Sequence, residues 1–210
     1  MELVITSYCR IKDKSIIVNG KELQLPKQEA SSGFFAAAYK HFEINYPKFH
    51  KMDALSKLGF IATEAVLKES DFLKRNKPTE IGIIMANKAS SLDTDRSHQL
   101  SINDKNHYLP SPATFVYTLP NIVIGEISIK HKLTGENGFF VCDGFDAGLL
   151  VNAAQITFHQ KTITAAICGW VDYDNGASDA LIYLVEMASD SIKNTNFTAL
   201  NEETLNQFYI

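Results

Sequence analysis

The stretch from Leu119 to Asp172, LPNIVIGEISIKHKLTGENGFFVCDGFDAGLLVNAAQITFHQKTITAAICGWVD, sets the tightest limit on what this chain can fold into. Gly138 to Cys142 is a short apolar run bounded by Gly135 and Gly144, which predicts a fully buried strand. Ala147, Leu150, Val151, Ala154 and Phe158 then recur at helical spacing, with Asp146 placed to cap them. Thr162 to Cys168 is again short, β-branched and apolar, and closes on Gly169. A strand, a sharp elbow, a helix and a returning strand make one βαβ unit, and such units belong to covered, largely parallel sheets. An elbow of this kind lifts a side chain out of the sheet at a helix N-terminus, where many enzymes mount a nucleophile.

The flanking sequence supplies more strands and helices in alternation. Leu3 to Ser7 predicts a buried strand, and Ser15 to Val18 with Glu22 to Leu25 flank Asn19-Gly20, a strong hairpin signal. A Gly/Ala-containing stretch, Ala30 to Ala38, leads into the aromatic segment Tyr39 to Phe49, where Pro47 breaks any helix. Asp53 caps a helix with Leu55, Leu58, Gly59, Ala62, Ala65 and Val66 on one face, ending near Asp71. Asn76-Lys77-Pro78 is a turn, and Ile81 to Ala86 a short central strand. Asn87 to Asn106 is polar, with a short helix in its middle and a loop at its end. Pro110 and Pro112 open another helix, and Pro120 interrupts before a helix over Ile122 to Ile129. Asp174-Asn175-Gly176 is a turn, and Ala180 to Met187 the last strand. These elements predict a three-layer α/β domain over residues 1–188, and a polar tail, 189–210, that packs loosely.

The chain has 210 residues, enough for one domain with a sizeable core, and its 45% hydrophobic content is ordinary for a globular protein. A net charge of -4 without a basic block argues against a nucleic-acid partner. Cys9, Cys142 and Cys168 have no paired spacing and sit in apolar runs, so they predict buried thiols rather than disulfides or a zinc site. The start, MELVITSYCR, lacks a signal peptide's basic and apolar regions, and no run reaches the roughly 20 apolar residues that span a bilayer. The expectation is a cytoplasmic protein with no membrane association, metal or cofactor.

Pro120, Asn121, Gly125, Ser128, Ile129, Gly135, Asn137, Ala147, Gly148 and Gly169 stand in an order that resembles the N-terminal half of the β-ketoacyl synthases of fatty-acid and polyketide assembly. YPKFHKMDALSKLGFIATEAVL and EIGIIMANKA look like that family's early helix and following strand. The resemblance implies half of a thiolase-like fold, a five-stranded mixed sheet with helices on both faces. It also implies one helical layer left uncovered, whose apolar surface would call for a partner. In the family the strand before the nucleophile pairs across the subunit two-fold, and Phe139, Phe140 and Val141 occupy that strand here.

The departures bear on function. A working synthase carries its cysteine in a Thr-Ala-Cys-Ala-like segment shortly before the helix-opening glycine. Counting back from Gly148 puts that position at Phe145, and counting forward from Pro120-Asn121 puts it at Gly144. Neither residue can be acylated. Cys142 comes earlier, inside the predicted strand, and is the candidate nucleophile that the residues themselves offer. Asp143 and Asp146 flank the elbow and offer either an acid and base pair or, more plainly, a turn residue and a helix cap, and an acidic residue so close would raise that thiol's pKa. The six histidines (His41, His50, His98, His107, His131 and His159) match no family role, and most read as surface residues. His131 reads as the solvated end of a helix. Asn121 is expected to satisfy backbone groups at its turn, and Trp170 to be a packing or interface residue.

Three functions follow as expectations. The first is a non-catalytic accessory subunit of the chain-length-factor kind, in fatty-acid or polyketide (aryl-polyene-type) biosynthesis. It would dock on a full-length ketosynthase through Phe139 to Val141, with Gly144, Phe145 and Asp146 at the acyl pocket. The second is an acyl-thioester enzyme using Cys142, and the third a self-paired acyl-binding module. An acyl carrier protein is a further expected partner.

Overall fold

The computed structural model describes residues 2–25, 33–104, 106, 110–188 and 197–210. Among these residues eight strands form one sheet: β1 (Leu3–Lys12), β2 (Ser15–Val18), β3 (Lys21–Leu23), β4 (Ile81–Asn87), β5 (Asn137–Val141), β6 (Ala165–Asp174), β7 (Ala177–Met187) and β8 (Thr198–Ala199). Their order is β3-β2-β1-β7-β6-β4-β5, with β8 paired to β1. The five strands from β1 to β5 in that order answer to the expected sheet. The β2–β3 hairpin and β8 enlarge it. Only the β4–β5 and β4–β6 ladders are parallel, and the rest are antiparallel, so the sheet is mixed rather than largely parallel. The crossover from β5 returns to β6 on the far side of β4.

Turn chemistry explains the antiparallel part. Asn19-Gly20 and Asn175-Gly176 take positive φ at both positions, the backbone that two-residue hairpins require. Asp13-Lys14 does the same between β1 and β2.

The helices are α1 (Phe34–His41), α2 (Ala54–Lys68), α3 (Phe72–Arg75), α4 (Leu92–Ile102), α5 (Pro112–Val116), α6 (Ile122–His131), α7 (Ala147–His159) and α8 (Glu202–Tyr209). Strand alternation divides the core between the two sheet faces. Ile83, Met85, Ile167, Ile182 and Leu184 face α1, α2 and α6, while Ile84, Ala86, Trp170, Leu181 and Val185 face α7 and α8. The Asp53 carboxylate accepts from the Ser56 amide at 2.9 Å and starts α2, which ends at Lys68 rather than near Asp71. Gly59 lets α2 approach α6, since a Cβ there would lie 2.5 Å from Val123. Ser111 caps α5 with Pro112 in its first turn.

Four expectations need correction. The run containing Phe139 to Val141 is an edge strand, with Phe140 39% and Val141 57% exposed, because nothing among the described residues pairs on its outer side. The tail does not pack loosely over its described part: Leu200 and Leu205 are buried, and α8 lies on α7 and β1. His131 is not solvated; its Nε2 lies 2.5 Å from the Glu64 carboxylate, with both side chains largely buried. The Asn121 side chain makes no cap hydrogen bond, and its carbonyl instead accepts from Ile124 and Gly125.

Candidate functional site

The elbow lies at the carboxyl end of β5. Cys142 is the first residue past the strand, and its amide donates to the Asn87 carbonyl at 2.9 Å, carrying the parallel pairing one step further. The chain then turns through Asp143, Gly144 and Phe145 with no positive φ from Cys142 to Asp146. Asp146 caps α7 by accepting from the Leu149 amide at 2.9 Å. The sequence therefore placed the helix start correctly, and the elbow is an unstrained turn.

An open cleft of about 640 Å³ sits over this turn, lined by Val141 to Gly148 and by Glu202 and Asn206 of α8. Cys142 and the acidic side chains of Asp143, Asp146 and Glu202 meet here. Burial, then the charges of Asp146 and Asp143, push the Cys142 thiol above its ordinary value. That is the reverse of what a reactive thiolate needs. Cys142 alkylation by iodoacetamide is therefore expected to be slow at pH 7.5 and to accelerate only above the ordinary thiol range, as read by mass spectrometry across a pH series. Rapid labelling at neutral pH would contradict it. Burial also raises Cys9 and Cys168, which lie inside the two cores.

At the two counted positions the side chains differ in kind. A Cβ on Gly144 would meet nothing within 4 Å, so that position opens to the cleft without a functional group. Phe145 turns inward. Its ring stacks on Tyr209 at 3.8 Å with 7° between planes, and meets Trp170 edge-on at 6.0 Å. Trp170 is 2% exposed and is a packing residue of this core. Sequence reasoning missed α8 altogether as a part of the site, although Leu205, Phe208 and Tyr209 were its visible apolar positions.

The histidines are dispersed. His98 packs beside Phe115, His50 beside Tyr39 and Phe49, and His131 pairs with Glu64. His107 lies outside the described residues. No group of three His, Cys, Asp or Glu that could hold a metal occurs among the described residues. No helix among them is long and apolar enough to cross a membrane.

No family model matches the chain, and no curated protein matches it by sequence. Solved structures do match in fold. The ishigamide ketosynthase/chain length factor aligns over 93% of this chain and 64% of its own, with TM-score 0.63 and 16% identity. A type II polyketide ketosynthase in complex with its acyl-carrier protein aligns over 88% of this chain and 62% of its own, with TM-score 0.63 and 12% identity. The ketosynthase ApeO in complex with its chain length factor ApeC, from Xenorhabdus doucetiae, aligns over 90% and 81%, with TM-score 0.57 and 11% identity. The chain has the fold of ketosynthases and chain length factors, and spans 62–64% of the length of the first two.

Proposed function

We propose that the protein is a non-catalytic ketosynthase-like subunit of fatty-acid or polyketide assembly, of the aryl-polyene type, that docks on a full-length ketosynthase. The observation that carries this reading is the elbow itself. Where ketosynthase relatives mount a cysteine, this chain has Gly144 open to the cleft and Phe145 packed inward. The one nearby thiol, Cys142, is raised by burial and two carboxylates. Condensation by a thiolase-like site needs a thiolate and donors for its oxyanion, and a cleft ringed by Asp143, Asp146 and Glu202 opposes both.

The docking surface is the free edge of β5. Asn-Gly-Phe-Phe-Val carries no charge, proline or bulge, the features that usually protect an edge from pairing with another chain. Its exposed Phe140 and Val141 would add apolar contact to the strand hydrogen bonds. The same edge suits a second copy of this chain, which keeps self-pairing as the second reading. The neighbours solved with a chain length factor or an acyl-carrier protein support a ketosynthase and a carrier protein as partners.

Affinity purification of the tagged protein from its native host tests the proposal. Co-elution of a full-length ketosynthase at one-to-one is expected, and its loss on Val141→Lys, which puts a charge into the paired edge. Elution as a self-dimer alone would favour the second reading. A covalent acyl adduct on Cys142, after incubation with an acyl-carrier or coenzyme A thioester, would overturn the non-catalytic assignment.

A further inference from the structure

The eight residues of α8 touch the elbow with both ends. At the first turn, the Glu202 carboxylate lies against the start of α7, 3.3 Å from where a Cβ on Gly148 would sit, and Asn206 lines the same cleft. At the last turn, Tyr209 covers Phe145. The Arg10 guanidinium lies 4.4 Å from the centroid of the same Tyr209 ring. Two planar groups that close cannot share one face, so Tyr209 is held between Phe145 and Arg10, with Trp170 edge-on behind Phe145.

Polar contacts fix this stack in register. Arg10 is 4% exposed; its Nε donates to the Tyr209 carbonyl at 2.8 Å and its Nη1 to Asp179 at 2.5 Å. The Tyr209 hydroxyl donates to the other Asp179 oxygen at 2.5 Å. Phe208 stacks on Tyr8 at 3.9 Å, and Leu205 is fully buried beneath the helix. A short amphipathic helix would be marginal alone, so its stability comes from these contacts.

We propose that α8 is an intramolecular clamp on the elbow. Docked, it keeps Phe145 turned inward, presses a carboxylate against the start of α7 and forms one wall of the cleft. Released, it would bare Phe145, Trp170 and Arg10 together with the cleft as one surface. The clamp goes beyond the docking proposal and stands whether or not the chain binds a ketosynthase, because every contact in it lies within the chain.

A clamp makes a reciprocal demand: loosening either partner must loosen the other. The chain has one tryptophan, Trp170, placed directly behind Phe145, so its fluorescence reports on the stack. Hydrogen exchange of the full chain, with acrylamide quenching of Trp170, tests the clamp in Tyr209→Leu and Phe145→Leu. Both variants keep apolar volume so that the core can persist. In Tyr209→Leu, amides 141–150 are expected to exchange about tenfold faster, while those of β4 stay protected. In Phe145→Leu, α8 is expected to exchange faster by a similar factor, and quenching of Trp170 to rise in both variants. Faster exchange confined to α8 in Tyr209→Leu, or an unchanged α8 in Phe145→Leu, overturns the proposal. If both variants lose protection in β4 as well, Tyr209→Phe decides. It keeps the ring stack and loses only the hydroxyl bond to Asp179. A clamp requires 141–150 to loosen there as α8 does, and exchange at wild-type rates overturns it.

Discussion

Gly169→Ala is expected to cost the chain about 3 kcal/mol or more, a large part of the stability of an ordinary domain, and to leave little folded protein at 37 °C. Gly169 sits mid-strand in β6 opposite Ile182, and a Cβ there would lie 2.1 Å from the Leu181 carbonyl oxygen and 2.9 Å from the Ile182 Cα. Neither atom is the end of a flexible side chain. Relief requires β6 and β7 to move apart, which breaks ladder bonds in the middle of the sheet and displaces Trp170, the next residue, from beneath Phe145. The elbow would lose its floor along with the strand. Urea denaturation followed by circular dichroism checks the stability, and a midpoint within error of wild type would mean that the sheet yields more easily than its backbone contacts imply. Gly144→Ala is the matched comparison. A Cβ there meets open space, so stability is expected to stay near that of the wild type.

The contrast between those two glycines shows what was legible in the sequence. Both end apolar strand-like runs, and the letters alone do not say which of them lies under a neighbouring backbone. Local signals carried well where the physics is local: Asp53 and Asp146 cap the helices that their positions predicted, and the Asn-Gly dipeptides turn two hairpins. Asp13-Lys14 makes the same turn without a sequence signal, since lysine seldom adopts positive φ and is held there by the strands on either side. β5 misled for another reason. Phe139 to Val141 is as apolar as a central strand, but burial depends on which strands lie beside it, and β5 ends the order. The clamp was beyond a local reading, because Arg10 and Tyr209 are separated by 199 positions. That neither Gly144 nor Phe145 is a cysteine needed only counting, whereas the inward turn of Phe145 needed α8 in place.

Glu126→Ala is expected to destabilise the chain by about 2–3 kcal/mol, the second large effect, through a buried carboxylate that the sequence presented as one acidic residue in the apolar run IVIGEISI. Glu126 is 2% exposed on α6 and accepts from the Tyr117 hydroxyl at 2.9 Å and the Tyr46 hydroxyl at 3.1 Å, with Lys48 Nζ at 2.8 Å. It thus ties the segment before α2 and the residue after α5 to one helix. Truncation leaves two phenols without their acceptor and Lys48 without its partner. The lysine is half exposed and returns to water, which holds the cost below that of a fully buried pair. The pH dependence separates this account from simple loss of packing. Burial, and then the hydrogen bond to Glu126 and its charge, raise Tyr46 from 10.0 to about 12, and the same causes raise Tyr117. A folded pKa above the unfolded one means that the unfolded chain loses its proton first. Stability from these phenols is therefore complete below pH 10 and is lost as the pH climbs through about 12. In Glu126→Gln the carboxylate's share of the shift disappears and burial's share remains, so the alkaline loss should be shallower than in the wild type. Thermal unfolding between pH 8 and pH 12 (a range bracketing the ordinary phenol, about 10) reads both, and parallel curves for the two proteins would show that Glu126 acts through volume alone.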